Sequence, residues 1–488
     1  MRTCVSIAEK DMESTLHACG EAAEKGTDMI EVRFDRMASL PEDLTPFKAF
    51  AKPMVATLRS SRQGGGFSGP DPVKLSFLKE AARSGFQYID LELDFPLLTK
   101  AQKEIKGAKL IISQHDHHKT PSPSIIVQTL VTCDSKGDVA KVAYHATNME
   151  DVLRLVEAAT LYSQTGNQFV AISMGERGSL TRACYDRMGA SFTYASLHRE
   201  RPTAPGQLDL STLKTLEGER VVAGVVGQSL SHSLSTWMHN AAFHSLSMPG
   251  LYLKFQMDKH ELTAFTELVG ELGVRGFNVT IPYKGAIIEL LDKVDPEAER
   301  IGAVNTVLNT GGELVGFNTD FYGVQMTFEK AAFDPKGRKV LVVGAGGAAR
   351  SVLTHLSHCQ AEISLYNRTK EKADELAKTF GGTTVVSKEE MLQKEFDAVV
   401  NCTPLGMKGY PDELPVDISV LRPGQFVMDT IYNPARTKLV IAAEERGAKA
   451  VSGRDMLIYQ AMKAFSVWTG NMPDYEVMLA GFQEGISR

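Results

Sequence analysis

Short apolar, β-branched runs alternate with longer stretches of helical periodicity over residues 1–208, the pattern of parallel strands joined by helices. The runs are TCVSIA (3–8), MIEVRF (29–34), PMVATL (53–58), QYIDLEL (87–93), KLIIS (109–113), VAKVAYH (139–145), FVAISM (169–174) and SFTYAS (191–196). Eight such units in about 200 residues predict a compact (β/α)8 barrel, with its working surface at the C-terminal strand ends. A doubly wound sheet is the alternative that pattern alone leaves open.

A polar stretch, HRERPTAPGQ, and the segment LDLSTLKTLEGER then precede a fresh apolar strand, VVAGVVG at 221–227, which places a boundary near 215–220. Strand-like runs at 251–256, 276–281, 303–308 and 314–317 alternate with helical patterns and predict one α/β lobe. KVLVVGAGGAARSVLTHL (339–356) opens a strand–glycine loop–helix unit, continued by ISLYNRT, DAVVNCT and FVMDTIY.

Composition narrows the classes. The chain has 488 residues, 43% apolar and 23% charged, with a formal net charge of −6. That length calls for several domains, and the absence of a basic excess argues against nucleic acid as partner. The six cysteines are scattered with no C-x-x-C spacing, so neither disulfides nor a zinc site is expected. The N-terminal stretch meets charge by Glu9 and no apolar run approaches a membrane span, so a cytoplasmic protein with no membrane association is expected. No obligate protein partner is evident.

Charge placed inside apolar strands marks the first candidate site. Glu31 and Arg33 lie two apart and so share a face, as do Asp90 and Glu92. If that face is a barrel interior, these groups must pair with one another or with a polar ligand. Lys141 sits among apolar neighbours in VAKVAYH. Desolvation, with Arg33, Arg59 or Arg182 nearby, would favour the free amine that forms imines with carbonyls. His115, expected just after the fifth strand, would move protons near that amine. The alternatives are a structural Glu/Arg ion pair, a solvent-facing lysine, or a metal site at His115, Asp116, His117 and His118.

EVRFD, TLRS, YIDLEL, SQHD, the lysine strand, ISMGERGSLTR and TAPGQ occur in an order that resembles type I 3-dehydroquinate dehydratases over residues 1–208. The resemblance implies a TIM barrel in which Lys141 forms a Schiff base with the substrate's C3 ketone. It implies that His115 is the general acid/base and that Glu31 orients it or the substrate. Arg33, Arg59 and Arg182 would bind hydroxyl and carboxylate groups, and Thr203 with Gln207 would close the site. Gln63 stands where the family often has glutamate, and Thr203 where serine is common.

The second candidate site begins at GAGGAA (344–349), which follows a strand and opens a helix as a dinucleotide fingerprint requires, with Ala349 in the third position. About 20 residues on, where an NAD-binding protein places an acidic residue, this chain has Asn367-Arg368-Thr369. An arginine there suits the 2′-phosphate of NADP; a solvated basic turn is the alternative. Ser233 and Ser235, two apart in a loop after a strand, offer a hydroxyl pair for a carboxylate or a cap for a helix starting at Thr236. Lys284 and Asp320 both follow strands, and such a couple polarises a reacting oxygen or makes a salt bridge.

The serine loop, NVTIPYK, GAVNT, GFNTD, GAGGAA, NRT, NCTPLGM and GRDMLIYQ resemble shikimate dehydrogenase over residues 220–488. That likeness implies a two-lobed enzyme with a Rossmann NADP-binding domain. Ser233, Ser235, Asn278, Thr280, Asn305, Asp320 and Gln460 would surround substrate, with Lys284 and Asp320 catalytic. Gly344, Gly346, Gly347, Ala348, Asn367, Arg368 and Thr369 would hold NADP, with Met456 beside the nicotinamide. Ser229 and Thr236 stand where the family usually has proline.

Together the resemblances imply a barrel over 1–212, a substrate domain over 220–325 completed by helices in 455–488, and a nucleotide domain over 326–454. The implied activities are dehydration of 3-dehydroquinate and NADPH-dependent reduction of 3-dehydroshikimate to shikimate, with no metal. A Schiff-base aldolase fused to a quinate-type dehydrogenase, and an inactive NADP or metabolite sensor, are the rival readings.

Overall fold

The computed structural model describes residues 1–487. They group into two compact units, one of Met1–Val222 with Pro249–Leu251 and Phe255–Val274, the other holding the rest of the described chain. Among the described residues no helix is long and apolar enough to cross a membrane.

The first unit contains strands β1 (Thr3–Ile7), β2 (Met29–Arg33), β3 (Met54–Thr57), β4 (Tyr88–Glu92), β5 (Lys109–Asp116), β6 (Val139–His145), β7 (Phe169–Met174) and β8 (Thr193–Ala195). They form one parallel sheet in the order β7-β6-β5-β4-β3-β2-β1-β8. β8 is short, and the seam beside it is held by Ser191 N–H donating to Phe169 O at 2.8 Å. The eight runs read from the sequence are these eight strands, with one difference. β5 continues through Asp116, because it stays paired with β6 as far as Asp116 opposite Tyr144, so His115 lies inside the strand.

Period-two alternation explains why the barrel has a dry floor and a charged upper layer. Cys4, Met29, Val55, Tyr88, Ile111 and Val139 join Val170 and Phe192 in one buried apolar cluster. Two residues further along each strand, on the same face, stand Ser6, Glu31, Thr57, Asp90, Ser113 and Lys141. The floor supplies hydrophobic burial, and the polar layer is displaced toward the C-terminal strand ends.

The second half carries two sheets. β9 (Val221–Gly227), β10 (Gly250–Gln256), β11 (Gly276–Val279), β12 (Lys293–Val294), β13 (Thr306–Thr310) and β14 (Glu313–Phe317) form a mixed sheet ordered β10-β9-β11-β13-β14-β12. β15 (Lys339–Val343), β16 (Glu362–Tyr366), β17 (Thr383–Val385), β18 (Ala398–Asn401), β19 (Phe426–Asp429) and β20 (Lys449–Val451) form a parallel sheet ordered β17-β16-β15-β18-β19-β20. Separate apolar clusters, one containing Val340 and Val342 and the other Leu341 and Val343, cover its two faces. This is the doubly wound order, whose ligand crevice opens where the order reverses, between β15 and β18. The helix Arg454–Thr469 serves both sheets: Met456 enters the cluster around Val340, while Trp468 Nε1 donates to Val307 O on β13 at 2.9 Å.

Candidate active sites

In the barrel, a cavity of about 290 Å³ opens above the polar layer and is lined by Glu31, Arg33, Arg59, Gln63, His115, Lys141, Arg182, Tyr194, Thr203 and Gln207, among others. Lys141 Nζ reaches its floor, donates to Asp90 Oδ2 at 3.0 Å, lies 3.7 Å from Glu31 Oε1 and stands 4.0 Å from the centroid of the Tyr194 ring. Glu31 accepts from Ser6 Oγ at 2.5 Å and Thr57 Oγ1 at 2.9 Å. Arg59 donates to Ser113 Oγ at 2.7 Å and Asp90 Oδ1 at 2.8 Å. Burial alone would raise the Asp90 carboxyl; the charges of Arg59 and Lys141, with the hydrogen bond from Ser113, overcome it and hold the group well below the usual carboxylate range.

Arg182 differs from the other two arginines. Arg33 forks onto Asp35 with both bonds at 2.8 Å, and Arg59 is engaged by Asp90, whereas among the described residues Arg182 Nε has no hydrogen-bond partner. The residue is 2% exposed, and desolvation lowers its guanidinium to about 10. A buried guanidinium with an open donor is a receptor for an anion, and it faces the same cavity as Lys141.

The Thr203–Gln207 segment is built on itself: Thr203 N–H and Oγ1 both donate to Gln207 Oε1, each at 2.8 Å, and Gly175 N–H donates to Pro205 O at 3.2 Å. Gly206 has φ +72°, and a Cβ there would fall 1.9 Å from Gly175 O, so close backbone approach requires glycine.

Two contacts in the cavity differ from the sequence expectation. Carboxylates, not arginines, touch Lys141, because Asp90 shares its interior layer and takes Arg59 on its other oxygen. Gln63 lies against His115, its Oε1 accepting the His115 backbone N–H at 3.1 Å and standing 3.3 Å from Nδ1. Asp90 and Tyr194 were legible only as members of period-two strands; nothing local in the sequence announced their contact with Lys141. Burial, followed by the positive charges of Arg59 and Lys141, lowers His115 well below the ordinary histidine value, so it is neutral near pH 7.

In the second unit Lys284 Nζ and Asp320 Oδ2 meet at 2.5 Å. Asp320 lies in the first turn of the helix Thr319–Lys330, capped by the Asn318 side chain, where a carboxylate is favoured. Asn305 Nδ2 donates to Asp320 Oδ1 at 2.8 Å, its Oδ1 accepts Thr319 N–H at 2.7 Å, and Gln460 Oε1 lies 3.5 Å from Thr319 Oγ1. Asn278 accepts from the Tyr252 hydroxyl at 2.6 Å and donates to Thr306 Oγ1 at 3.0 Å. Ser235 is within side-chain bonding reach of Tyr252. The helix Ser235–Ser245 starts without a side-chain cap, so the serines are not spent on that role. Thr280 follows β11 and anchors by its N–H to Val226 O at 3.0 Å, and Ser233 turns back to Leu230 O at 3.1 Å.

The glycine loop adjoins this pair. Gly344 has φ +105°, and a Cβ would lie 2.9 Å from Thr403 Cγ2, so the NCT segment after β18 presses on the loop. Gly346 and Gly347 are exposed and begin the helix Gly347–His358, with open space above Gly346. That cradle of N–H groups at a helix start fits a pyrophosphate. A Cβ on Gly347 would be 3.8 Å from Lys284 Cδ, which brings loop and lysine together. Ala348 is the second residue of that helix. Asn367 Nδ2 donates to Thr369 O at 2.7 Å, and this turn leaves Arg368 exposed after β16. Met456 is 7% exposed and packs in the core cluster around Val340.

Known proteins resemble both halves. The family model for type I 3-dehydroquinase matches residues 3–217, and that for the shikimate dehydrogenase substrate binding domain matches 225–307. Models for shikimate/quinate 5-dehydrogenase and for the shikimate 5′-dehydrogenase C-terminal domain match 327–405 and 453–480. A bifunctional 3-dehydroquinate dehydratase/shikimate dehydrogenase of Arabidopsis thaliana, described as chloroplastic, is 31% identical over 499 residues, covering 96% of this chain and 82% of its own length. An NADP(+) shikimate dehydrogenase of Carboxydothermus hydrogenoformans is 40% identical over 54% of this chain and 96% of its own. The crystal structure of a Thermus thermophilus shikimate dehydrogenase in complex with NADP(H) and shikimate is 34% identical, covers 54% of this chain and 99% of that one, and gives a TM-score of 0.51. With a relative aligned over 96% of this chain and 82% of the relative's own length, and each half matched by its own family models, the chain belongs to the bifunctional 3-dehydroquinate dehydratase/shikimate dehydrogenase family.

Proposed function

We propose that the barrel dehydrates 3-dehydroquinate to 3-dehydroshikimate and that the second half reduces this ketone to shikimate with NADPH. The observation that carries the first step is the conjunction of a buried primary amine and an open buried guanidinium in one cavity, Lys141 and Arg182. Arg182 takes the substrate carboxylate, which sets the ring so that its ketone meets Lys141 Nζ. The amine attacks the ketone carbon and water leaves, giving an imine. The cationic nitrogen withdraws electrons, His115 removes the adjacent C2 proton, and the C1 hydroxyl departs as water once protonated. Hydrolysis of the imine releases the enone and restores the amine. Glu31 and Asp90 keep Lys141 Nζ on the cavity floor through this cycle, and the Thr203–Gln207 lid excludes solvent.

For reduction, the residues present fit NADP: the glycine cradle suits its pyrophosphate and exposed Arg368 its 2′-phosphate. NADPH when bound supplies hydride. Lys284, steadied by Asp320, donates a hydrogen bond to the ketone oxygen and delivers the proton as that oxygen becomes an alcohol. Ser233, Ser235, Asn278, Thr280, Asn305 and Gln460 hold the carboxylate and hydroxyl groups, and Asn305 fixes Asp320. We divide the chain into a barrel at 1–212, a substrate domain at 220–325 with helices in 455–488, and a nucleotide domain at 326–454. We place the protein in the cytoplasm, a reading supported by six unpaired cysteines, and assign it no obligate protein partner.

Purified protein given 3-dehydroquinate alone should accumulate enone absorbance, and addition of NADPH should consume it with one nicotinamide oxidised per enone. Reduction of added 3-dehydroshikimate without any enone from 3-dehydroquinate would overturn the barrel assignment.

A further inference from the structure

Resting on the reading of the glycine loop as the NADPH cradle, we propose that Asp429 is a positioning residue for reduction, a buried hub that sets both the nucleotide loop and the start of the helix carrying Gln460. Asp429 ends β19 opposite Asn401 at the end of β18, on the side of the sheet where the ligand crevice opens, and both residues are 0% exposed. Its Oδ1 accepts Asn401 Nδ2 at 2.9 Å and the Ile431 N–H at 3.1 Å, and its Oδ2 accepts Thr437 Oγ1 at 2.6 Å. Burial raises this carboxyl, and the groups that oppose the rise, Thr437, Ile431 and Asn401, are all neutral donors. What Asp429 supplies is therefore geometry, a pair of fixed acceptors for three buried donors.

One branch from this hub runs to the nucleotide loop. A carboxylate only accepts, so Asn401 must turn its NH2 to Asp429 and its oxygen the other way. That oxygen takes the Thr403 N–H at 2.9 Å and Thr403 Oγ1 at 2.7 Å. Thr403 is thereby set with its Cγ2 2.9 Å from where a Cβ on Gly344 would stand, and the Cys402 N–H ties the same segment to Val343 O at 2.8 Å. The other branch runs to the helix Arg454–Thr469. Asp429 holds the Ile431 N–H, Ile431 O accepts the Gly453 N–H at 2.9 Å, and a Cβ on Gly453 would fall 2.0 Å from Thr430 O. Gly453 is the cap from which that helix starts, about two turns before Gln460. One enclosed carboxylate thus fixes the backbone on both sides of the crevice.

The test is steady-state reduction of 3-dehydroshikimate by the full-length protein. Asp429→Ala leaves three buried donors unpaired and should raise the KM for NADPH and for NADH by the same factor, about tenfold or more, because the loop serves the pyrophosphate that both share. Asp429→Asn keeps the shape: its oxygen retains Asn401 and Ile431, and its NH2 donates to Thr437 Oγ1, so both KM values should return to within about threefold of wild type. An asparagine variant as impaired as the alanine one would overturn the proposal. A residue that served stability alone would reduce the amount of active enzyme and leave KM unmoved, so an unchanged KM in Asp429→Ala overturns it as well. If that variant does not fold, Thr403→Val decides: it keeps a methyl against Gly344 and loses the side-chain bond to Asn401, and it should raise both KM values about threefold or more, with an unmoved KM again overturning the proposal. Absence of NADPH oxidation by the unaltered protein would instead refute the parent reading, so the two failures are distinguishable.

Discussion

Replacing Asp90 by asparagine removes one charge from the centre of the barrel without changing its shape. The native carboxylate is 1% exposed and binds Arg59 at 2.8 Å, Lys141 at 3.0 Å and Ser113 at 2.6 Å. Breaking a buried ion pair from one side typically costs about 3–5 kcal/mol, because the remaining charge is left unpaired. Two carboxylates remain, Glu31 at 3.7 Å from Lys141 and Glu92 at 3.9 Å from Arg59. At an effective dielectric constant of about 20, each such pair still attracts by about 4 kcal/mol before desolvation, which puts the loss near the lower figure, about 3 kcal/mol. In urea that is a midpoint shift of roughly 1–1.5 M.

Both tryptophans, Trp237 and Trp468, lie in the second unit, so barrel unfolding should be followed by circular dichroism and by loss of dehydration activity. The pH dependence has a definite sign. A depressed carboxyl contributes stability that is complete above its unfolded value of about 3.9 and is lost as pH falls toward its folded value. The gap between wild type and Asp90→Asn should therefore be constant from pH 7 to about 5 and smaller by about 1 kcal/mol near pH 3. A loss under about 1 kcal/mol at pH 7, or a gap that widens in acid, would refute the charge-network argument.

Three further outcomes follow from other parts of the molecule. Arg182→Ala should raise the dehydration KM for 3-dehydroquinate by about a hundredfold or more, since it removes the open guanidinium, and steady-state kinetics with an unchanged KM would remove the carboxylate assignment. Arg368→Ala should raise the KM for NADPH by about tenfold or more and that for NADH much less; equal effects would end the 2′-phosphate argument. His239 is fully buried against Tyr252, with ring centroids 4.2 Å apart, and burial lowers it to about 3. The unfolded chain binds this proton at higher pH than the folded one, so between about 6.5 and 3 acidification should cost about 1.4 kcal/mol per pH unit, a slope that His239→Phe should reduce in urea titrations.

The barrel was legible because its strands obey one rule: apolar residues at alternate positions, with the polar exceptions on a common face. Lys141, Glu31 and Asp90 were visible for that reason. Their pairing was not, since it depends on which strands are opposed and on the stagger around the barrel. Lys284 and Asp320 were readable as charges at strand ends, and their meeting needed the fold of a lobe 36 residues of chain apart. Gln63 against His115 was the least legible contact, joining a turn and a strand 52 residues apart. Length of β5 was misread because the polar run SQHD looks like a loop, although its backbone remains in the ladder. Met456 was placed beside the nicotinamide by family likeness alone; its side chain packs in the core cluster around Val340.

The most direct test of the central claim is borohydride trapping during dehydration, followed by peptide mass spectrometry. The account predicts a single substrate-sized addition on the peptide containing Lys141, absent from Lys141→Ala, a variant that still reduces added 3-dehydroshikimate with NADPH. An addition on a different lysine, or unimpaired dehydration by Lys141→Ala, would contradict it.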